Sequence, residues 1–488
     1  MTSTQPETDT RFFGHPRGLA TLFFTEMWER FSYYGMRALL ILFMTASAAT
    51  GGLGFDDAKA GIVYGLYTSS VWLLSLPGGW VADRLIGARR AVLYGAILIT
   101  AGQFCLVPAN LASFYTGLVL IVLGTGLLKP NVSTIVGFIY PAGDRRRDAG
   151  FSIFYMGINL GAFLSPLICG WVGQKVNWHY GFGLAGFGML IGIVQYVLGA
   201  KNLGSAGLLT ERARGANRRA GVGLAIAIAI TLAIVVVVRV GQVEVTARLI
   251  SNAFGIGLTI VSLAVFAWLI FGPNWSPIER KRSMAVLVLF VAACVFWSAF
   301  EQAGSSLSLF AERNTNKTLF GYQFPASWYQ ALNALFIIGF APVLAWLWIA
   351  LGKRDPSSPS KFALGLMFTG IGTAVLVPAA MLSGANGRVG PWWLVLTYLC
   401  NTFGELCLSP VGLSAMTKLA PARVASLMMG VWFLTISVGS YLGGRAASFY
   451  SSLPLPMLFG AVAAFAFGAA IVLALLIRPT VKLMSGVK

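Results

Sequence analysis

Long apolar stretches alternate with short polar segments along almost the whole of this chain. A membrane-spanning α-helix needs about 20 consecutive, mostly apolar residues. By this measure the pattern predicts an all-α polytopic membrane protein that crosses a bilayer about 14 times. The predicted spans are residues 20–46, 58–82, 88–109, 112–138, 149–173, 180–200, 220–240, 248–272, 284–311, 327–351, 361–383, 391–418, 424–448 and 455–477.

The predicted spans fall into two sets of six, separated by residues 201–219 and 220–272. Residues 201–219 are polar and basic, which indicates a cytoplasmic linker. The two spans within 220–272 carry no ionisable group in their cores, so we expect them to pack or to face lipid. Two six-helix halves are the plan of a major facilitator fold, in which the substrate site lies between the halves. The other predicted segments are an N-terminal tail at 1–19, a first bundle at 20–200, a second bundle at 273–477 and a tail at 478–488.

Composition agrees with a membrane protein, and charge adds an orientation. The 488 residues are 57% hydrophobic and 10% charged, whereas about a quarter of a soluble domain is charged. The net charge of +19 could indicate nucleic-acid binding. Most Lys and Arg, however, lie in alternate connections and in the tails, which is the positive-inside pattern. We therefore expect no nucleic-acid partner and cytoplasmic termini.

Cysteine and histidine give no sign of a metal or cofactor site. The five cysteines all fall in apolar stretches without paired spacing, which predicts buried thiols and no disulfide. The two histidines form no zinc or haem motif. The first 18 residues are polar, so we expect no cleavable signal peptide.

The first apolar span contains three ionisable residues within five positions, Glu26, Glu29 and Arg30. Each such group costs about 2.5–3.5 kcal/mol on insertion scales. At about 100° per residue these three share one helix face with Tyr33 and Arg37. A face of this kind must contact protein or water, so the first helix is predicted to line a polar cavity.

Other ionisable residues lie deep in apolar spans of both halves, and they are Lys129, Glu301, Glu405 and Arg445. Structural ion pairs are one interpretation, but so many buried charges favour transport. Opposite charges from two walls suit a zwitterionic substrate. A buried Glu beside an Arg can also take up a proton and release the Arg, whose planar fork then binds a substrate carboxylate.

Polar and aromatic residues near these charges can add recognition or simply pack helices together. The polar residues are Asn159, Asn333 and Ser409, which can bind amide or amino groups or join two helices. The aromatic residues are Tyr33, Tyr34, Tyr67, Tyr155, Trp297, Phe300 and Trp432.

Motifs along nearly the whole chain, taken in order, resemble the proton-dependent oligopeptide transporter family. The carrying segments are EMWERF with Glu26, Glu29 and Arg30, PGGWVADRLIGARR, GTGLLKPNVS with Lys129, FSIFYMGINLGAF with Asn159, FWSAFEQ with Trp297 and Glu301, LNALF with Asn333, GELCLSPVGLS with Glu405, and GVWFLTISVGSYLGG with Trp432. Animal members carry a histidine in the second helix, where this chain has Tyr64 and Tyr67. Coupling is therefore expected to use carboxylates.

The resemblance implies a role for each candidate residue. Proton coupling is assigned to Glu26, Glu29, Arg30, Lys129 and Glu301. Substrate binding is assigned to Arg30, Tyr33, Tyr34, Arg37, Tyr67, Lys129, Asn159, Trp297, Glu301, Asn333, Glu405, Ser409 and Trp432. Gating is assigned to the pairs Arg37 with Glu301 and Lys129 with Glu405.

The sequence thus predicts a proton-coupled symporter for di- and tripeptides, monomeric and without a cofactor. The nearest alternative is the same fold with another small substrate, such as nitrate or a non-peptide metabolite. An integral membrane enzyme is a second alternative. The sequence offers it no nucleophile–base pair, metal cluster or phosphate-binding loop.

Overall fold

The computed structural model describes residues 9–141, 144–209, 246–273, 275–421 and 424–486. The predicted span 220–240 and most of the predicted linker 201–219 lie outside these residues. Every other predicted span coincides with one helix or with two consecutive helices.

The helices of the first part of the chain are α1 (Arg17–Thr45), α2 (Asp57–Leu73), α3 (Ser75–Val81), α4 (Ala88–Cys105), α5 (Leu111–Phe138), α6 (Arg147–Lys175) and α7 (Trp178–Gly199). Those of the second part are α8 (Ala247–Phe271), α9 (Pro277–Phe300), α10 (Ser306–Arg313), α11 (Ala331–Leu351), α12 (Ser358–Ala374), α13 (Leu376–Asn386), α14 (Trp392–Leu419), α15 (Ala425–Ala447) and α16 (Leu455–Leu483).

Local sequence explains several of the helix ends. Ser276 and Glu279 form a capping box at the start of α9, where the Ser276 side chain accepts from the Glu279 amide at 3.2 Å and the Glu279 carboxylate accepts from the Ser276 amide at 2.8 Å. Asn110 caps α5 by accepting from the Ser113 amide at 2.7 Å. These side chains satisfy amides that the first helical turn leaves unpaired.

Three predicted spans are interrupted, although the apolar pattern predicted continuous helices. The span 58–82 breaks at Leu74, between α2 and α3. The span 284–311 contains a 3₁₀ turn at Glu301–Gly304, and 361–383 breaks at Val375. Apolar length alone does not detect such breaks, because both sides of each break remain apolar.

Contacts between residues divide the chain into two compact units. Unit 1 comprises Met1–Met36, Leu74–Ser165 and His179–Thr246, and unit 2 comprises Arg37–Leu73, Pro166–Trp178 and Ala247–Lys488. The predicted bundles 20–200 and 273–477 follow hydropathy rather than contacts, and their boundaries stay a prediction.

In unit 1, α4 and α5 pack with their backbones in close approach. A Cβ placed on Gly95 would lie 2.6 Å from the Gly124 carbonyl oxygen, and one on Gly102 would lie 2.7 Å from that of Gly117. Small residues allow this closeness between membrane helices. The arrangement fixes α5, the helix that carries Lys129.

The segment before α1 is also tied to unit 1. The Arg146 guanidinium donates to Asp144 at 2.7 Å and to the Gly14 carbonyl oxygen at 3.0 Å. His15 Nδ1 lies 2.9 Å from the Tyr140 hydroxyl. Burial raises the pKa of Tyr140 to about 12, so this hydroxyl stays protonated at neutral pH.

In unit 2, α2 packs along α15 through small residues that we call the α2–α15 seam: Gly61, Gly65, Ser69, Ser437 and Gly444. A Cβ on Gly444 would lie 2.3 Å from the Gly65 Cα. The Ser69 hydroxyl donates to the Ser437 carbonyl oxygen at 2.7 Å, and the Ser437 hydroxyl donates to the Ser69 carbonyl oxygen at 2.9 Å. The seam therefore joins the two helices by backbone contact and by a reciprocal pair of serine bonds.

A β-hairpin lies between α10 and α11 in unit 2. Its strands are β1 (Thr318–Leu319) and β2 (Tyr322–Gln323), which pair antiparallel. The turn residues Phe320 and Gly321 have φ of +49° and +80°, the positive values that tight hairpin turns require.

Ten helices of the described chain are long and apolar enough to cross a membrane. Burial differs widely among them. In Pro277–Arg313 the protein buries 78% of the most apolar stretch, whereas in Ala326–Arg354 it buries 11% of the corresponding stretch. An apolar helix with so little protein cover must face lipid. The chain is thus built as an integral membrane protein.

Candidate functional site

Four charged side chains meet in unit 1, and we call them the α1–α5 charge cluster: Glu26, Glu29, Arg30 and Lys129. Arg30 donates through Nη2 to Glu29 Oε1 at 2.7 Å and through Nε to the other oxygen of that carboxylate. Glu26 Oε1 lies 3.4 Å from Arg30 Nε and also accepts from Lys129. Helical spacing of three and four residues places Glu26 beside Glu29 and Arg30, and Arg30 reaches the carboxylate of its sequence neighbour Glu29.

The cluster is buried and contains two acids and two bases. The exposed side-chain fraction is at most 2% for Glu26 and Arg30, and 12% for Lys129. Buried charges persist only when they are paired, because desolvation is costly. One carboxylate oxygen, Glu26 Oε2, is buried with no hydrogen-bond partner among the described residues.

Aromatic and polar candidates surround the cluster in unit 1. The Arg30 guanidinium lies 4.9 Å from the ring centre of Tyr33 and 5.8 Å from that of Tyr34. Asn159 is buried on α6 and donates to the Tyr155 carbonyl oxygen at 3.0 Å. These side chains lie on the helices that carry or adjoin the charges.

A second ion pair is buried in unit 2, where Arg37 donates to Glu301 at 2.9 Å. Arg37 Nε also donates to the Tyr64 hydroxyl at 2.8 Å. Glu301 begins the 3₁₀ turn that interrupts the apolar span. A Cβ on Gly304 would lie 1.9 Å from the Tyr64 hydroxyl, so a larger residue here would have to displace the Tyr64 side chain that bonds Arg37. The predicted partners are in contact, and their gating role stays a prediction.

Glu405 has amide and hydroxyl neighbours in unit 2. The Asn333 side chain donates to Glu405 Oε2 at 2.9 Å and to the Thr402 hydroxyl at 3.1 Å. Trp297 and Trp432 pack edge to face with ring centres 6.5 Å apart. Trp297 Nε1 is buried without a hydrogen-bond partner in the described part of the chain. Unit 2 thus presents an acid fixed by an amide, together with two large aromatic rings.

The remaining predicted residues are distributed between the units. Tyr67 is buried on α2, and Ser409 is partly buried on α14. Lys129 belongs to unit 1 and Glu405 to unit 2, so their pairing stays a prediction. In the structure Lys129 bonds Glu26, and Glu405 bonds Asn333.

Sequence reasoning missed an ion pair at the helix ends of unit 2. Arg313 donates to Asp57 in a two-pronged contact at 2.6 and 2.8 Å, and the Ser451 hydroxyl donates to the same carboxylate. The Arg313 guanidinium also lies 5.6 Å from the Tyr450 ring centre. Asp57 precedes its predicted span by one residue and Arg313 follows its own by two. Hydropathy therefore gave no reason to single them out.

Tyr64 was missed for another reason. It was noted only as one of two tyrosines in a region where animal members have histidine. Its bond to Arg37 follows from the packing of α2 and is not encoded in any local spacing.

Buried, mutually paired charges inside apolar helices define a membrane transporter with two compact helical units. The sequence profile PTR2, described as the POT family, matches residues 89–461. The chain belongs to this family of transporters, so it is a transporter and not an enzyme.

Relatives and solved structures agree over nearly the whole length. The peptide transporter YePEPT of Yersinia enterocolitica subsp. palearctica is 40% identical over 507 residues, covering 99% of this chain and 98% of its own. The di-/tripeptide transporter of Lactococcus lactis subsp. cremoris is 39% identical over 494 residues, covering 99% of both chains. A crystal structure of peptide transporter POT in complex with sulfate superposes with a TM-score of 0.92 at 45% identity, covering 97% of each chain. These matches confirm the predicted family and fold class.

Proposed function

We propose that this protein is a proton-coupled symporter that takes up di- and tripeptides by alternating access. The α1–α5 charge cluster carries this proposal, because it combines buried carboxylates with cations that protonation can release. The names of the relatives from Yersinia enterocolitica and Lactococcus lactis support peptides as the substrate class. The proton gradient is the driving force, and no cofactor takes part.

The cluster can couple a proton to a peptide through shared partners. Glu26 has two cationic neighbours, Arg30 and Lys129, through one carboxylate oxygen. A proton on the other oxygen neutralises Glu26 and leaves both cations with one anion fewer. Arg30 and Lys129 then bind the peptide carboxylate, which restores the charge balance. Loss of the peptide favours loss of the proton by the same argument.

Residues of unit 2 have their own assigned part in recognition in this proposal. Glu405, held by Asn333, binds the peptide amino group, while Trp297 and Trp432 contact side chains. An aromatic wall discriminates little among apolar side chains, which suits a transporter of many peptides. Protonation of Glu301 frees Arg37 and loosens the gate.

The orientation in the membrane is part of the proposal. Basic residues in alternate connections and in both tails support cytoplasmic termini in a bacterial cytoplasmic membrane. The end of unit 2 that contains Asp57 and Arg313 is then external. The functional molecule is a monomer, since each chain carries a complete set of charges.

The decisive experiment is uptake of labelled dialanine into proteoliposomes, with and without an inward proton gradient. We expect accumulation above equilibrium only with the gradient. Glu26→Gln should abolish gradient-driven uptake while peptide exchange survives, because the variant cannot take up the proton. The matched control is Asp148→Asn, at an exposed carboxylate outside the cluster. Failure of the folded protein to take up dialanine under either condition would refute the proposal.

Nitrate transport on the same fold is the rival that this assay can also address. A nitrate ion has no amino group for an acid such as Glu405. We therefore expect unlabelled dialanine, and not nitrate, to compete with uptake. Competition by nitrate and not by dialanine would favour nitrate transport over peptide transport.

A further inference from the structure

Unit 2 contains a cavity of about 260 Å³ at the end where α10 finishes. Its lining residues come from the ends of α1, α6 and α10, the start of α7 and the connection after α1. They are Leu42, Thr45, Ala46, Thr50, Gln174, Trp178, Leu309, Glu312 and Arg313. None of them belongs to the candidate site assigned above, apart from Arg313 through its bond to Asp57.

The cavity carries an acid and a base side by side. Glu312 Oε2 accepts from Lys317 at 2.6 Å and from Gln174 at 3.1 Å, which leaves Oε1 without a bond among the described residues. Arg313 uses two N–H groups on Asp57, although a guanidinium has five. About two-fifths of each side chain is exposed, at 41% for Glu312 and 39% for Arg313.

The other walls are apolar and aromatic, and they are held in place. Trp178 donates through its indole N–H to the Thr50 carbonyl oxygen at 3.2 Å and packs on Phe43 at 6.2 Å between ring centres. Leu42 and Leu309 line the same space. A small apolar side chain can therefore pack here while charged groups meet Glu312 and Arg313.

We infer that this cavity is a peripheral binding site for a small zwitterion, with the ligand amino group on Glu312 and its carboxylate on Arg313. The volume is slightly below the roughly 300–1,000 Å³ of drug-sized sites, which matches a short peptide. The inference rests on the proposed peptide transport and its orientation, in which the cavity opens to the external side. Peptides are thus concentrated at the external end before the gate opens.

The position of Arg313 connects this site to the gate. Its guanidinium already holds Asp57 at the start of α2. A second carboxylate on the same guanidinium competes with Asp57, so the bond that joins α10 to α2 weakens. External peptide thereby favours opening of unit 2 at this end, and this property is separate from substrate binding at the charge cluster.

The test is protection of Thr50→Cys from a charged, membrane-impermeant thiol reagent. The background has serine at the five native cysteines, and the protein is in proteoliposomes with the external side accessible. Dialanine at ten times its Kd should slow modification about tenfold, because only the free site reacts. Ser47→Cys, exposed in the same connection but outside the cavity lining, should be unaffected.

Two further variants separate this site from the central one. Protection should persist with Glu405→Gln, which weakens the proposed central site, and should be lost with Glu312→Gln. N-acetyl-dialanine amide has neither charge and should not protect. If the protein takes up dialanine but Thr50→Cys is not protected, or is protected equally with Glu312→Gln, the peripheral site is wrong. Absence of uptake would instead refute the proposed function.

Discussion

The α2–α15 seam leads to a steric prediction, which the change Gly444→Ala tests. The added Cβ would lie 2.3 Å from the Gly65 Cα, 2.8 Å from the Gly65 nitrogen and 2.9 Å from the Gly61 carbonyl oxygen. All three are backbone atoms, so no side chain can rotate away. Carbon atoms in contact prefer separations of about 3.5–4.0 Å. The helices must therefore separate by over an ångström.

The cost of that separation sets the expected effect. Extra carbon atoms in well-packed interiors cost about 1–3 kcal/mol. A free-energy change of about 1.4 kcal/mol changes an equilibrium constant tenfold. The population of molecules with the seam closed should therefore fall by roughly 5–150-fold relative to molecules with the seam open. In the proposed transport cycle and orientation the external end has to close, so concentrative uptake of dialanine should fall by a comparable factor. The change should leave the charge cluster of unit 1 intact.

Spin labels at Asp56 and Ser452 can measure the seam directly, since both are exposed and flank the bonded residues Asp57 and Ser451. The labels should show strong dipolar broadening in the parent protein and much less with Gly444→Ala. The matched control is Gly468→Ala, where a Cβ meets nothing within 4 Å. Identical spectra and identical uptake for the two variants would show that the seam does not control closure.

Three further predictions concern other contacts. Glu301→Gln leaves the buried Arg37 without its anion, and breaking a buried ion pair in this way costs about 3–5 kcal/mol. In liposomes, we expect the variant to keep peptide counterflow and to lose gradient-driven uptake. Asn333→Ala removes a hydrogen bond to the charged Glu405, worth about 1.5–3 kcal/mol, and titration should show at least a tenfold rise in dialanine Kd. The hydrogen bonds of Arg146 hold the pKa of the Asp144 carboxyl below its usual value. This contact stabilises the fold above the unfolded pKa of about 3.9 and is lost as pH falls through the lower folded value. Once exchange rates are corrected for the intrinsic effect of pH, the protection of nearby amides from hydrogen exchange should be the same at pH 8 and pH 5 but lower with Asp144→Asn.

Hydropathy was sufficient to predict where the described membrane helices lie, although not the breaks within three of them, because each apolar span has to satisfy its backbone within the bilayer. The same constraint singled out Glu26, Glu29 and Arg30, since charges in a span need partners. The sequence did not show which residues those partners are. Lys129 bonds Glu26 rather than Glu29, a choice that depends on how α5 packs against α4 and α1.

Contacts at helix ends lay beyond the sequence for a different reason. Asp57 and Arg313 stand where apolar character falls away and charged residues are ordinary. The break at Glu301–Gly304 was equally hidden, because the residues on both sides are apolar. Such features depend on contacts between segments more than 200 positions apart, for which a single sequence carries no local pattern.

The reciprocal serine bonds between Ser69 and Ser437 have a consequence for how often the helices can part. A hydroxyl released from the neighbouring helix can turn and donate to the carbonyl oxygen one turn back in its own helix, as serine commonly does. Each serine hydroxyl then keeps a hydrogen-bond acceptor when the two helices separate. The bonds therefore align the two helices, and they leave few unsatisfied groups behind if the helices separate in the proposed transport cycle.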